Sequence, residues 1–91
     1  MQGKYLRSAG VASRRIAGRL FLVTPDEGRV TLLNEVGSRV WDLLDGDHST
    51  ADIVTAITRE FETGPETART DVESFLTTLE TRGLVRSPEG A

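Results

Sequence analysis

TLLNEVGSRVWDLLDG (residues 31–46) and DVESFLTTLETRGLV (residues 71–85) bracket the stretch Leu32–Leu84 that decides the fold. Asn34 can cap a first helix, its side-chain oxygen accepting an orphan amide of the first turn. Val36, Val40, Leu43 and Leu44 follow at helical spacing, with Trp41 beside them, and Asp45-Gly46 ends the run. Ser49 or Thr50 caps a second helix through Ile53, Val54, Ile57 and Phe61. Gly64-Pro65 closes that helix and opens a third, because proline in a first turn loses no hydrogen bond. Ala68, Val72, Phe75, Leu76 and Leu79 share one face of the third helix, and Arg82-Gly83 stops it. Leu84-Val85 is left as an apolar tail. The spacing predicts helices over about 34–45, 50–62 and 65–82, a helix-turn-helix-like bundle. Its core is expected to be Val36, Val40, Leu43, Ile53, Ile57, Val72, Leu76 and Leu79, with Trp41 in or at the edge of it.

Working outward, IAGRLFLVT (residues 16–24) and RVTLL (residues 29–33) are rich in strand formers and flank Pro25-Asp26-Glu27-Gly28. Proline suits the second position of a turn and glycine the left-handed position that resumes pairing, so a hairpin 16–24/29–33 is expected. Both strands are apolar on both parities, Leu20 and Leu22 against Phe21 and Val23, Val30 and Leu32 against Leu33. One face can pack on the helices while the other keeps apolar side chains in water. The edge of the 29–33 strand has only Arg29 to guard it. Either an N-terminal strand or a second copy covers that edge, or it stays open for a peptide to join. Residues 1–15 show no clear period, reading as a short strand or arm around Lys4–Arg7 and a flexible stretch up to Ser13.

Ninety-one residues predict one domain, 1–91, with 1–4 and 87–91 frayed. No cysteine is present, which removes disulfides, thiolate ligands and thiol nucleophiles. No apolar run is long enough to span a membrane, and no secretory leader stands at the N-terminus, so a cytoplasmic protein is expected. Residues 1–33 carry a net +4 and residues 34–91 a net −7.

Little here could carry chemistry. His48 is alone in an acidic turn, Asp45-Gly46-Asp47-His48, which lacks the spacing and distal glutamate of a calcium loop. No glycine pattern fits a phosphate loop. Glu60 and Glu62, and Asp71 and Glu73, sit two apart and so point away from each other on a helix. No catalytic residue, metal site or cofactor is expected, and the chain is not expected to be an enzyme. DNA binding by a winged helix is the rival function. A helix that reads DNA needs basic residues, whereas the third helix carries Glu66, Asp71, Glu73 and Glu80 against Arg69 and Arg82. A structural or dimerisation module is the remaining alternative.

An ordered set of short motifs resembles the PqqD-like family, which includes the chaperone of pyrroloquinoline quinone biosynthesis. The set is Ser13-Arg14-Arg15-Ile16-Ala17-Gly18, Leu22-Val23 with Pro25, Leu33-Asn34-Glu35-Val36-Gly37 with Val40-Trp41, and Leu44-Asp45-Gly46. It continues with Asp71-Val72, Phe75-Leu76 and Leu79, and ends on Gly83-Leu84-Val85. The resemblance implies an α+β, winged-helix-like fold, a three-stranded antiparallel N-terminal sheet followed by three helices. It further implies a recognition element for the leader of a ribosomally made precursor peptide. The peptide would add as a strand and be presented to a modifying enzyme, often a radical S-adenosylmethionine enzyme. On this chain the receiving strand is Arg29, Val30, Thr31, Leu32 and Leu33, with either parity facing the groove. The facing flank of the third helix is Asp71, Ser74, Phe75 and Thr78. The expected partners are thus a leader peptide and an enzyme, with no nucleic acid and no membrane, for a monomer or homodimer.

Overall fold

The computed structural model describes residues 4–24 and 28–86. In chain order these form strands β1 (Leu6–Arg7), β2 (Ala12–Ile16), β3 (Arg19–Thr24) and β4 (Arg29–Leu33). Helices α1 (Glu35–Asp42), α2 (Thr50–Glu60) and α3 (Pro65–Thr81) follow, and strand β5 (Val85–Arg86) closes the chain. The expected α+β class and three-helix bundle hold. A three-stranded antiparallel sheet, β2-β3-β4, packs beside the helices, and β1 pairs with β5 in a separate two-stranded ladder.

The caps explain the helix limits. Asn34 accepts from the Gly37 amide at 2.7 Å. Ser49 and Asp52 form a reciprocal capping box, each side chain accepting the other's backbone amide. Pro65 takes the first turn of α3, where its missing N–H leaves no gap. Helix α1 ends earlier than its sequence pattern suggested, with Leu43 as C-cap, and residues 43–47 form turns through Gly46 at φ +88°. Leu43 and Leu44 are buried nonetheless, because the turn folds them under the helices.

The N-terminal third is where the structure corrects the sequence reading. The first strand of the sheet is Ala12–Ile16, a stretch expected to be flexible up to Ser13, and the second begins at Arg19 instead of Ile16. Ala17 and Gly18 both take positive φ, 53° and 82°, the signature of a two-residue type I′ hairpin turn. Strand β2 is exposed along its length, so no apolar pattern marks it. The strand expected near Lys4–Arg7 exists at Leu6–Arg7 but pairs elsewhere, Leu6 with Arg86 and Arg7 with Val85. Leu84 and Val85, read as an apolar tail, are therefore fully buried. The Arg7 guanidinium also lies 5.0 Å over the Trp41 ring and donates to the Trp41 carbonyl. The turn expected over Pro25–Glu27 and the fraying expected at 1–3 and 87–91 lie outside the described residues. Lys4 is described and exposed.

Leu20 and Leu22 from β3 and Leu33 from β4 join Val40, Trp41, Leu44, Ile53, Ile57, Val72, Leu76 and Leu79 in one core. Every residue expected in that core is buried except Val36, which is half-buried against it. Trp41 is 2 % exposed, a core residue. Two ion pairs brace the periphery. Arg15 on β2 holds Asp42 at 3.0 Å, and Arg39 on α1 grips Glu60 of α2 at 2.8 and 3.0 Å. Both are exposed, and such pairs contribute less than about 1 kcal/mol each.

Candidate functional site

Register decides which backbone groups on β4 are available. The two-residue turn makes Ile16 and Arg19 a hydrogen-bonded pair, and antiparallel ladders alternate such pairs with non-bonded ones. Arg19, Phe21 and Val23 therefore turn their amides and carbonyls toward β2, and Leu20, Leu22 and Thr24 turn theirs toward β4. Their partners Leu33, Thr31 and Arg29 are the bonded residues of β4. Val30 and Leu32 are left with N–H and C=O pointing away from β3, at an edge where no described strand pairs.

Side chains follow the opposite logic. Leu33 is buried and Thr31 half-buried, so odd positions of β4 face the helices. Val30 and Leu32 are 62 % and 49 % exposed on the outer face. The parity left open by the sequence is thus fixed. Of the five strand residues expected at the site, Val30 and Leu32 offer edge backbone and Thr31 a half-buried side chain. Arg29 sits exposed at the strand's start, and Leu33 commits its side chain to the core.

The other edge of the sheet differs in kind. On β2 the alternation turns the amides of Ser13 and Arg15 outward, between the charged side chains of Arg14 and Arg15. Charge along an edge discourages another strand from pairing there. Between Val30 and Leu33, β4 has no charged side chain.

Beyond Leu33 the chain enters α1, and a cleft of about 450 Å³ opens between the first turn of α1 and the flank of α3. Asn34, Val36 and Gly37 line one side of it, and Asp71, Ser74, Phe75 and Thr78 the other. All four α3 residues expected from sequence are therefore brought together, with Phe75 half-buried and the other three exposed. Their positions at i, i+3, i+4 and i+7 put them on one flank of the helix. Asp71 is the one carboxylate of this lining, and Thr78 spends its hydroxyl on the Ser74 carbonyl at 3.1 Å. The cleft is open because position 37 has no side chain. A Cβ there would lie 3.1 Å from Phe75 Cζ and 3.1 Å from Asn34 Oδ1. Asn34, Val36 and Gly37 were read from sequence as cap, core and helix. The signal for a site was the glycine itself, since a glycine inside a helix marks a close approach.

His48 is accounted for by the turn it occupies. Its Nδ1 lies 2.9 Å from Asp45 Oδ1, and that hydrogen bond, aided by the Asp47 amide, lowers the Asp45 carboxyl to about 2. Among the described residues no three His, Cys, Asp or Glu side chains converge as a metal site would need. No described helix is long and apolar enough to cross a membrane.

Residues 19–85 match the family model described as coenzyme PQQ synthesis protein D (PqqD). Among solved structures, the chain is similar to TbiB1 in complex with the TbiA(beta) leader peptide. Identity there is 31 % and TM-score 0.82, over 94 % of this chain and 96 % of that one. A lasso peptide synthetase B1, complexed with its leader peptide, matches at TM-score 0.85 and 20 % identity, covering 92 % of this chain and 99 % of that one. The PqqD truncation of Methylobacterium extorquens PqqCD, described as a stand-alone recognition element for ribosomally synthesised and modified peptides, shares the fold. It matches at TM-score 0.75 and 19 % identity, covering 90 % of this chain and 87 % of that one. No curated protein matches in sequence.

Proposed function

The chain belongs to the PqqD family, and from that premise we propose that it is a peptide-binding adaptor. It captures the leader of a ribosomally made precursor peptide and presents it to a modifying enzyme. The observation that carries this reading is one place where three features meet. They are an unguarded strand edge with the Val30 and Leu32 amides outward, a cleft at its end, and the α3 flank of Asp71, Ser74, Phe75 and Thr78. A peptide added along β4 gains main-chain hydrogen bonds that tolerate sequence change, while its helix-side residues enter the cleft and give selectivity. Asp71 at the cleft favours a basic or hydrogen-donating residue in the leader. As an exposed group it affects association rate and salt dependence more than affinity.

The adaptor holds and presents; the chemistry belongs to the enzyme it serves, in the cytoplasm where the precursor is made. A radical S-adenosylmethionine enzyme is one such partner, and the likeness to lasso peptide and PQQ proteins supports a fold that serves more than one chemistry. DNA reading finds no support, because the exposed positions of α3 include Glu66, Asp71, Glu73 and Glu80.

The test is a titration of Val30→Pro and Leu32→Pro with the TbiA(beta) leader peptide, the ligand in the complex of the 31 % identical relative. Each proline deletes one outward amide and none bonded to β3, so circular dichroism should stay native while leader binding falls at least tenfold. If both variants bind the leader as tightly as the parent, strand addition at β4 is wrong.

A further inference from the structure

A second cleft, of about 440 Å³, lies between α2 and α3. Arg69 and Glu73 line it from α3, with Pro65 at that helix's start, and Thr50, Val54 and Arg59 line it from α2. Around the α3 axis these positions fall on the far side of the Val72/Leu76 core stripe from Asp71, Ser74, Phe75 and Thr78. This cleft and the proposed leader cleft therefore share a helix and no residue.

Three features narrow what this cleft can hold. First, Thr50 is 8 % exposed, and its hydroxyl has no hydrogen-bond partner among the described residues. A buried hydroxyl left unpaired is costly, and one that lines a cleft is satisfied by whatever enters. Second, Arg69 and Glu73 stand at i, i+4, the spacing at which opposite charges on a helix pair, yet they make no ion pair. Arg59 likewise has no ion-pair or hydrogen-bond partner among the described residues, whereas Arg39 is held by Glu60. Third, the charges are separated along the cleft. The short connection 61–64 turns α3 back along α2, so Arg59 lies toward Pro65 and Thr50 toward Glu73. Two guanidinium groups thus mark one end, a carboxylate and a hydroxyl the other, and Val54 an apolar stretch between them.

We infer that the α2–α3 cleft binds a short free peptide, its terminal carboxylate on Arg59 and Arg69 and its terminal ammonium between Glu73 and the Thr50 hydroxyl. Guanidinium groups suit a carboxylate because their paired N–H donors match its two oxygens. Arg69 and Glu73 are about 6 Å apart along α3, and Thr50 and Arg59 about 13 Å apart along α2, at the rise of a helix. At about 3.5 Å per extended residue, a peptide of two to four residues spans that range. Its side chains rest on Val54 and Pro65, so small apolar ones fit. A simple oxyanion would leave Thr50 unpaired at the far end and would gain nothing from Glu73. The inference stands apart from leader capture and goes beyond it.

The test is an NMR titration of the full chain with trialanine, whose extended length of about 10 Å falls within that range. Its N-acetyl and C-terminal amide forms each remove one end charge. Trialanine should give saturable shifts centred on the amides of Thr50, Val54, Arg69 and Glu73, and each capped form should bind at least tenfold more weakly. Arg69→Gln should weaken trialanine at least tenfold and the amide form less than twofold, since that form has no carboxylate to lose. Glu73→Gln should weaken trialanine at least tenfold and the N-acetyl form less than twofold. Both positions are exposed, so both variants should fold. No saturable shift on the parent up to tens of millimolar peptide overturns the inference. So do capped forms that bind like trialanine, or inorganic phosphate that binds as tightly, since either leaves the two end charges without a role. Shifts centred on Gly37 and Phe75 overturn it as well, because the peptide would then sit in the leader cleft. None of these outcomes decides leader capture, which the proline variants test separately.

Discussion

Replacing Gly37 with alanine separates the proposed role of the cleft from the stability of the fold. The added methyl would lie 3.1 Å from Phe75 Cζ, 3.2 Å from Phe75 Cε1 and 3.1 Å from Asn34 Oδ1. Each contact is tight by a few tenths of an ångström, so something must move. The Asn34 oxygen is held by its 2.7 Å bond to the Gly37 amide, and losing that cap costs about 1 kcal/mol. Phe75 is only half-buried and faces the open cleft, so the ring is the softer neighbour. Displacing it off its preferred rotamer costs roughly 0.5–1.5 kcal/mol. Against this, alanine is favoured over glycine in a helix by about 1 kcal/mol. The terms nearly cancel, and the expected change in unfolding free energy is within about 1 kcal/mol of zero. The displaced ring has nowhere to go but the cleft. Leader affinity should fall at least about tenfold, or roughly 1.4 kcal/mol. Urea unfolding reads the first quantity and titration of a fluorescent leader the second. A folded variant that keeps full leader affinity would refute the assignment of this cleft to the peptide.

Leu76→Ala removes a side chain that is 1 % exposed at the centre of the α3 core stripe, and should cost about 2–5 kcal/mol in the same unfolding assay. A loss below about 1 kcal/mol would mean the site collapses freely and is not close-packed. The acid limb of stability should contain a contribution from Asp45, whose folded carboxyl lies near 2 against an ordinary 3.8. A depressed carboxyl stabilises the fold fully above the ordinary value and loses that contribution as pH falls toward 2. His48→Ala removes the larger cause, so the Asp45 midpoint followed by NMR should climb toward 3.8, and a midpoint still near 2 would show that the Asp47 amide alone suffices.

What could be read from the sequence follows burial. The helices were legible because Val40, Ile53, Ile57, Val72, Leu76 and Leu79 repeat at helical spacing and each is buried, and because Asn34 and Ser49 announce the caps. The choice of the third helix came from the family resemblance and that of its flank from lying next to the Val72/Leu76/Leu79 stripe, and the four residues of that flank line one cleft. Strand β2 was missed because periodicity reports only what is half-buried, and Ala12–Ile16 is exposed on both faces. The parity of β4 was hidden for a related reason. Val30, Leu32 and Leu33 are all apolar, and hydrophobicity cannot separate a side that packs on helices from one that stays exposed. The β1–β5 ladder was invisible because two-residue strands carry no period at all, and only burial of Val85 reveals it.

That last ladder makes the described chain a clasped loop. Leu6 lies across from Arg86, one rung beyond the Arg7–Val85 pair, so both strands leave the ladder from the same end. Tension drawn between residues 6 and 86 meets the rungs one after another and peels them, instead of shearing the two rungs together. The Ser8 amide bonded to the Leu84 carbonyl at 3.0 Å comes next in line, and the Arg7 guanidinium over Trp41 must lift before the core is disturbed. Strand β4 hangs on a different set of bonds, those to β3, and no rung of the clasp belongs to it. A pull between residues 6 and 86 is therefore absorbed in the clasp first, and the β4 edge keeps its shape while the clasp opens.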